Sequence, residues 1–218
     1  MTTPVCVVLG AGPGLGLGVA RRFAVEGYFA VLAARTAEQA ESLAAPLLDE
    51  GHGAEGVGVD LTDSEDVTGV IRGIGERHGR IDVLHFNPSV WREKDPLHLS
   101  VPELLEDVAL GAGALLPAVQ AARPFMPTGA RLLVTGSAAA DTPWHGAASL
   151  GVQKAAVRNL VTSLDATLAP DGIRAVAVQI NGLLDKEGPF SPAPIADAMW
   201  QAVSRPAAAW TPHVPYDG

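Results

Sequence analysis

Basic residues are scarce in this chain: 15 lysines and arginines face 24 aspartates and glutamates, a formal net charge of -9 at pH 7. That balance excludes a non-specific nucleic-acid surface, which needs a basic face. Cysteine is nearly absent. The single one, Cys6, lies inside an apolar run, so no intramolecular disulfide can form, and it reads as a small core hydrophobe of an intracellular, cytoplasmic protein. The first residues, Met1-Thr2-Thr3-Pro4, carry neither the basic segment nor the apolar stretch of a secretory signal. No apolar run approaches the roughly 18 residues of a membrane span. Neither a membrane nor nucleic acid is therefore expected as a partner, and a small-molecule substrate is. Tyrosine occurs only as Tyr28 and Tyr216.

What is present is a hydrophobic chain, 48% apolar over 218 residues, long enough for one domain spanning 1–218. It is organised around Val5-Cys6-Val7-Val8-Leu9-Gly10-Ala11-Gly12-Pro13-Gly14-Leu15-Gly16-Leu17-Gly18. An unbroken apolar strand that meets a glycine cluster and then turns amphipathic, through Val19, Ala20, Phe23 and Ala24, is how a buried parallel strand enters a phosphate-binding turn. The glycines let backbone approach a ligand, and the helix they open points unpaired N–H groups at it. A side chain at Gly14 would occupy space that a pyrophosphate needs.

The rest alternates strand and helix. Strands are expected at 29–33, 57–59, 81–86, 131–135 and 173–180. Helices are expected after Thr36 with Gln39, after Thr62 with Glu65, and after Ser100 with Glu103, each pair a capping box. The helix after Ser100 is long and bent by Gly111, Gly113 and Pro117. Another follows Gly146 and runs to about Leu168, and a last one from about Ile195 to Ser204. Six strands with intervening helices predict an α/β fold: a single doubly wound parallel sheet of Rossmann type, helices on both faces, ligand at the carboxyl ends of the strands. After about residue 183 the chain becomes proline-rich and reads as loop or tail apart from that last helix.

Gly10-x-x-x-Gly14-x-Gly16, Asp60 after the third strand, Asn87 after the fourth, Ser137 after the fifth and Lys154 on the following helix together resemble the short-chain dehydrogenase/reductase family over about Val5 to Gly182. The resemblance implies a dinucleotide-binding domain in which Gly10, Gly12, Gly14, Leu15 and Gly16 hold the cofactor pyrophosphate. It places Asp60 and Leu61 at the adenine, Asn87 beside the ribose, Lys154 on the nicotinamide ribose and Gly182 at the far end. Asp60 also reads as a turn cap, and Asn87-Pro88 as a turn signal. The second strand ends Ala33-Ala34-Arg35 with no acid to accept from a free ribose 2′-OH, so Arg35 favours NADP over NAD.

The departures from the family bear on catalysis. In the family a Tyr four residues before the Lys exchanges the proton; here that residue is Leu150. The family's Asn on the long helix falls near Ala109, and its Pro-Gly after the sixth strand is Asn181-Gly182. Ser137 and Lys154 remain, and His145, in the Thr142-Pro143-Trp144-His145-Gly146 loop, is the candidate substitute acid. Ser149 points about 100° away from position 150 around the helix. His85 reads as a core or cofactor-side residue, and Trp144 as a pocket wall.

Apolar residues occupy more than one face of the helix carrying Lys154, Val157 and Val161 among them, which predicts a homodimer or homotetramer contact there. The functional expectation is an NADP-dependent oxidoreductase acting on a small carbonyl or alcohol with an altered proton relay. The alternatives are a non-redox catalyst (cyclisation, dehydration or isomerisation) on the same fold, or a catalytically silent nucleotide-binding protein.

Overall fold

The computed structural model describes residues 2–218. Seven parallel strands form one sheet: β1 Val5–Leu9, β2 Phe29–Ala34, β3 Ala54–Gly58, β4 Val83–Phe86, β5 Arg131–Ser137, β6 Arg174–Ile180 and β7 His213–Tyr216, ordered β3-β2-β1-β4-β5-β6-β7. β1 pairs with β2 on one side and β4 on the other, Val8 standing opposite both Leu32 and His85. Successive strands step outward from β1 in opposite directions, so the strand order reverses between β1 and β4, where an open α/β sheet leaves a crevice.

Every residue of β1 is buried, and the two-residue period divides them between the faces. Val5, Val7 and Leu9 join the core under α3 (Ser64–His78), α5 (Leu115–Ala122) and α6 (Ala148–Leu168). Cys6 and Val8 join the core under α1 (Leu15–Val25), α2 (Ala37–Asp49) and α7 (Pro192–Val203). The doubly wound architecture expected from the sequence is the one observed.

Local departures have local causes. A seventh strand replaces the expected tail. Pro215 removes a ladder donor, but β7 is an edge strand that needs donors on one side only, and Asn181 N–H bonds back to the Tyr216 carbonyl. β3 starts earlier than its two valines suggest. Its glycines are required by the helix above it, since a Cβ on Gly56 would overlap the Ala40 carbonyl carbon. Asp63, not Thr62, caps α3 by accepting from the N–H groups of Glu65 and Asp66. Thr36 accepts from Gln39 N–H as expected, and the Ser100–Glu103 capping box is complete.

The expected bend is a wide π-turn, Ala109–Gly113, joining α4 (Val101–Val108) to α5. Gly111 is obligatory there because a Cβ would overlap Gln153 Oε1. Pro117 falls in the first turn of α5, where a missing N–H leaves no gap. Joined this way, Val101–Phe125 forms a helical rod long and apolar enough, by length and composition, to cross a membrane, which the uninterrupted apolar runs of the sequence do not suggest. Its inner side, including Leu115, Ala118 and Ala122, is in the core against the sheet.

Candidate functional site

The strand order lays out the site. β3, β2, β1, β4, β5 and β6 end, side by side, in Asp60, Arg35, the glycine turn, Asn87, Ser137 and Gly182, and all of these border one cleft of about 970 Å³. Neighbouring strands lie about 4.8 Å apart, so the ends of β2 and β5 are separated by roughly 14 Å. Leu61, Leu15, Leu150 and Lys154 line the same cleft.

Each glycine in the turn has its own reason. Gly10 has φ +72° and packs against Pro88, so it provides the left-handed turn out of β1. A Cβ on Gly16 would sit 2.9 Å from Ala11 Cα, so Gly16 lets α1 close on the turn. Gly12 has nothing within 4 Å of its Cβ direction and borders the cleft. Gly14 caps α1 and is not among the cleft's lining residues, so a side chain there has less to displace than the sequence suggests. Leu17 and Gly18 N–H bond back to the Gly12 and Gly14 carbonyls, which leaves the Leu15 and Gly16 amides, beside Gly12, to meet an anion.

At the β2 end, Arg35 makes no hydrogen bond or salt bridge among the described residues and lines the cleft. Asp60 opposite it accepts from the hydroxyl and the N–H of Thr62, contacts that hold its carboxyl below the usual range. Asp60 is thus a turn cap and a cleft residue at once.

At the β4–β5 end a polar chain crosses the sheet. His85 Nε2 lies 2.9 Å from Thr135 Oγ1, Thr135 donates to Asn87 Oδ1 at 2.8 Å, and Asn87 Nδ2 donates to the Gly10 carbonyl at 3.0 Å. Thr135 has spent its one hydrogen on Asn87, so the proton on His85 is assigned to Nε2. Full burial, reinforced by the Lys154 charge, pushes the imidazole down to about 3, so His85 stays neutral and fixes the Asn87 amide. Ser137 Oγ accepts from Ala139 N–H at 3.1 Å, which leaves its own hydrogen for a ligand. Lys154 Nζ donates to the carbonyls of Thr135 at 3.0 Å and Pro88 at 3.2 Å, and desolvation lowers it to about 8.

Three of the loop and helix residues that lie near Leu150 in the sequence are placed elsewhere. His145 is exposed and lines a separate groove beside Pro96, Leu99 and Val152, because the helical turn His145–Ala147 carries it away from the sheet edge. It is not placed to serve the cleft. Trp144 lines that groove too, and reaches the cleft only by stacking on Trp91, with ring centroids 5.6 Å apart. Ser149 is fully buried and does not border the cleft. Neither tyrosine reaches the site: Tyr28 packs on Phe23 and Trp200, and Tyr216 donates to the Pro189 carbonyl.

Other lining residues belong to no motif. Trp91, Glu106, Leu110, Leu183 and Leu184 border the same cleft as Leu150. Trp91 is held by its neighbours: Val90 exchanges two hydrogen bonds with the Gln153 amide, and Arg92 forms a bidentate pair with buried Asp107 and a 3.0 Å bond to Glu106. The four-residue spacing of Glu106 and Leu110 on one helix is the signal that the sequence holds for them. A Cβ on Gly182 would overlap the outer edge of the Phe190 ring, which lies against it.

The fold and this arrangement agree with what the chain is similar to. The family model described as short chain dehydrogenase matches residues 4–184. A cis-4-hydroxycyclohexanecarboxylate dehydrogenase of Sinomonas cyclohexanicum is 33% identical over 177 residues, covering 80% of this chain and 71% of that one. A meso-2,3-butanediol dehydrogenase of Serratia marcescens is 31% identical over 175 residues, covering 80% and 69%. Among solved structures, a metagenomic short-chain oxidoreductase in complex with NADP superposes with a TM-score of 0.87 at 25% identity, covering 98% of this chain and 96% of that one. The chain belongs to the short-chain dehydrogenase/reductase family.

Proposed function

We propose that the protein is an NADP-dependent oxidoreductase for a small, largely apolar carbonyl or alcohol, with a proton relay that does without the family's tyrosine. The observation that carries the reading is one continuous cleft with an unpaired guanidinium, Arg35, at one end and a buried ammonium, Lys154, at the other. The residues fit the cofactor: Gly12 and the start of α1 leave space and amides for a pyrophosphate, Arg35 suits a 2′-phosphate, and Asn87, Ser137 and Lys154 offer polar atoms at the nicotinamide end. When bound, the nicotinamide supplies or accepts a hydride. Ser137 is free to donate to a substrate oxygen, while Leu150, Leu110 and Trp91 exclude water and favour an apolar substrate body.

Calorimetric titration of NADPH and NADH into the wild type and Arg35→Ala tests the reading. NADPH is expected to bind at least about tenfold more tightly than NADH, and Arg35→Ala to remove most of that difference, a loss of about 1.4 kcal/mol or more. Equal affinities in the wild type would withdraw the NADP assignment, and no binding of either cofactor would withdraw the redox reading.

A homodimer or homotetramer is also proposed, with its contact moved from the predicted position. Val157 and Val161 are buried under the sheet and cannot meet a partner. A cluster of exposed apolar side chains lies instead at Leu97, Val101 and Leu105 around α4, with Trp144 before α6 and Val152 on it. Because these are exposed in the protomer, Leu105→Glu combined with Val152→Glu is expected to leave the protomer folded and to give a smaller species in sedimentation. A wild-type protein that already sediments as a monomer would refute the contact.

A further inference from the structure

Reduction of a carbonyl needs a proton for the oxygen, and the cleft restricts where it can come from. Among the described residues no Tyr, His or Cys lines it, and its ionisable side chains are Arg35, Asp60, Glu106 and Lys154. A guanidinium does not release a proton in this range. Asp60 is an acceptor in its turn with Thr62, at the far end of the sheet. Glu106 is paired with Arg92. Lys154 differs from all three.

An ammonium has three N–H groups, and two of those on Lys154 are spent on the Thr135 and Pro88 carbonyls, which hold the nitrogen at the ends of β4 and β5. The third has no protein acceptor among the described residues, and the side chain borders the cleft next to Leu150. The groups around it are neutral or already paired. On β4 and just after it these are the uncharged His85 and Asn87, and on β5 the Thr135 and Ser137 hydroxyls. On α4, Asp107 and Glu106 both bind Arg92. No salt bridge among the described residues holds Lys154 protonated.

From this geometry we infer that Lys154 is itself the general acid, its third N–H protonating the substrate oxygen directly. The inference rests on the oxidoreductase reading above. In the reduction, the carbonyl carbon gains the hydride pair as the reduced nicotinamide is oxidised by two electrons. The C=O π pair passes to oxygen, and that oxygen takes a proton from Nζ. The N–H bonding pair remains on nitrogen as an amine lone pair, and water returns the proton afterwards. Oxidation of an alcohol runs the same steps backwards, with the neutral amine as base. Burial brings the ammonium down to about 8, so both forms are accessible near neutral pH.

The chain has only three lysines, Lys94, Lys154 and Lys186, so ε-13C-lysine NMR of the ligand-free protein can follow each one. The signal lost in Lys154→Met is expected to titrate at about 8, where burial places the group. A midpoint above about 10, where an unperturbed lysine titrates, would overturn the inference. With NADPH and isatin or 1-phenyl-1,2-propanedione as probes, single-turnover reduction should be full at low pH and fall as pH rises through that midpoint. Measured at saturating NADPH, Lys154→Met should reduce about a hundredfold or more slowly than the wild type. Lys154→Arg keeps the charge and should stay slow, whereas methylamine added to Lys154→Ala should restore rate. If Lys154→Met or Lys154→Arg reduces as fast as the wild type, the inference fails and the oxidoreductase reading stands. A protein that binds NADPH but reduces none of these probes overturns both.

Discussion

Leu150→Tyr is expected to accelerate reduction of activated ketones at least about tenfold, because it places a phenol one helical turn from Lys154 on the face that borders the cleft. The backbone is already in place: α6 is regular from Ala148 to Leu168, and positions 150 and 154 both line the cleft. A cleft of about 970 Å³ that Trp91 and Leu110 also line has room for the larger ring. The phenol does not replace the ammonium. Its conjugate base would lie beside Lys154, which lowers a phenol's pKa, so the variant should keep its rate to higher pH than the wild type. General acids contribute about 10²–10⁴-fold, and a relay already served by Lys154 leaves only part of that to gain. Single-turnover rates at saturating NADPH, measured across neutral and alkaline pH, decide the matter. A variant that binds NADPH normally, gains nothing and keeps the wild-type pH profile would mean that position 150 does not face the reacting carbonyl.

The parts of the fold that are legible in the sequence are those where local signals and tertiary demands coincide. β1 is apolar at every position because helices cover both its faces, and its expected limits, Val5–Leu9, are the observed ones. Ser100 and Glu103 satisfy each other's backbone regardless of what packs around them. β3 and β7 are hard to read because their reasons are not local: the glycines of β3 are dictated by α2 above them, and Pro215 is harmless only at a sheet edge.

The candidate site divides the same way. Residues at strand ends can be placed from order alone, since the sheet brings Arg35, Asp60, Asn87 and Ser137 to one edge once the strands are known. Residues in loops cannot. His145 lies between two cleft residues in sequence, yet a single helical turn carries it to a different surface. Trp91 and Glu106 escape a reading of the sequence because what holds them, Gln153 on Val90 and Asp107 on Arg92, spans elements far apart in the chain. Val157 and Val161 show the limit of periodicity: a helix apolar on several faces does not reveal which face meets the sheet.

Gly12→Val is expected to abolish cofactor binding while the protein stays folded. Two of the glycines in the turn cannot separate these two effects. Gly10 needs a positive φ, so any side chain strains the turn, and a side chain on Gly16 collides with Ala11 backbone. Either substitution would confuse lost binding with lost structure. At Gly12 the Cβ direction is open within the protein, and the residue borders the cleft where the Leu15 and Gly16 amides opening α1 have no acceptor among the described residues. A branched side chain there adds no clash to the folded chain but fills the volume a pyrophosphate would use. Affinity for NADPH should fall at least about a hundredfold, or about 2.7 kcal/mol, with the thermal midpoint of the ligand-free protein within a few degrees of the wild type. Gly14→Val is the matched control: its Cβ direction is equally open but it does not line the cleft, so binding should fall much less. If both variants unfold early, the turn is needed for folding beyond what its contacts indicate. If Gly12→Val keeps full affinity for NADPH, the phosphates do not sit on this turn, and the cofactor would have to bind elsewhere on the sheet edge.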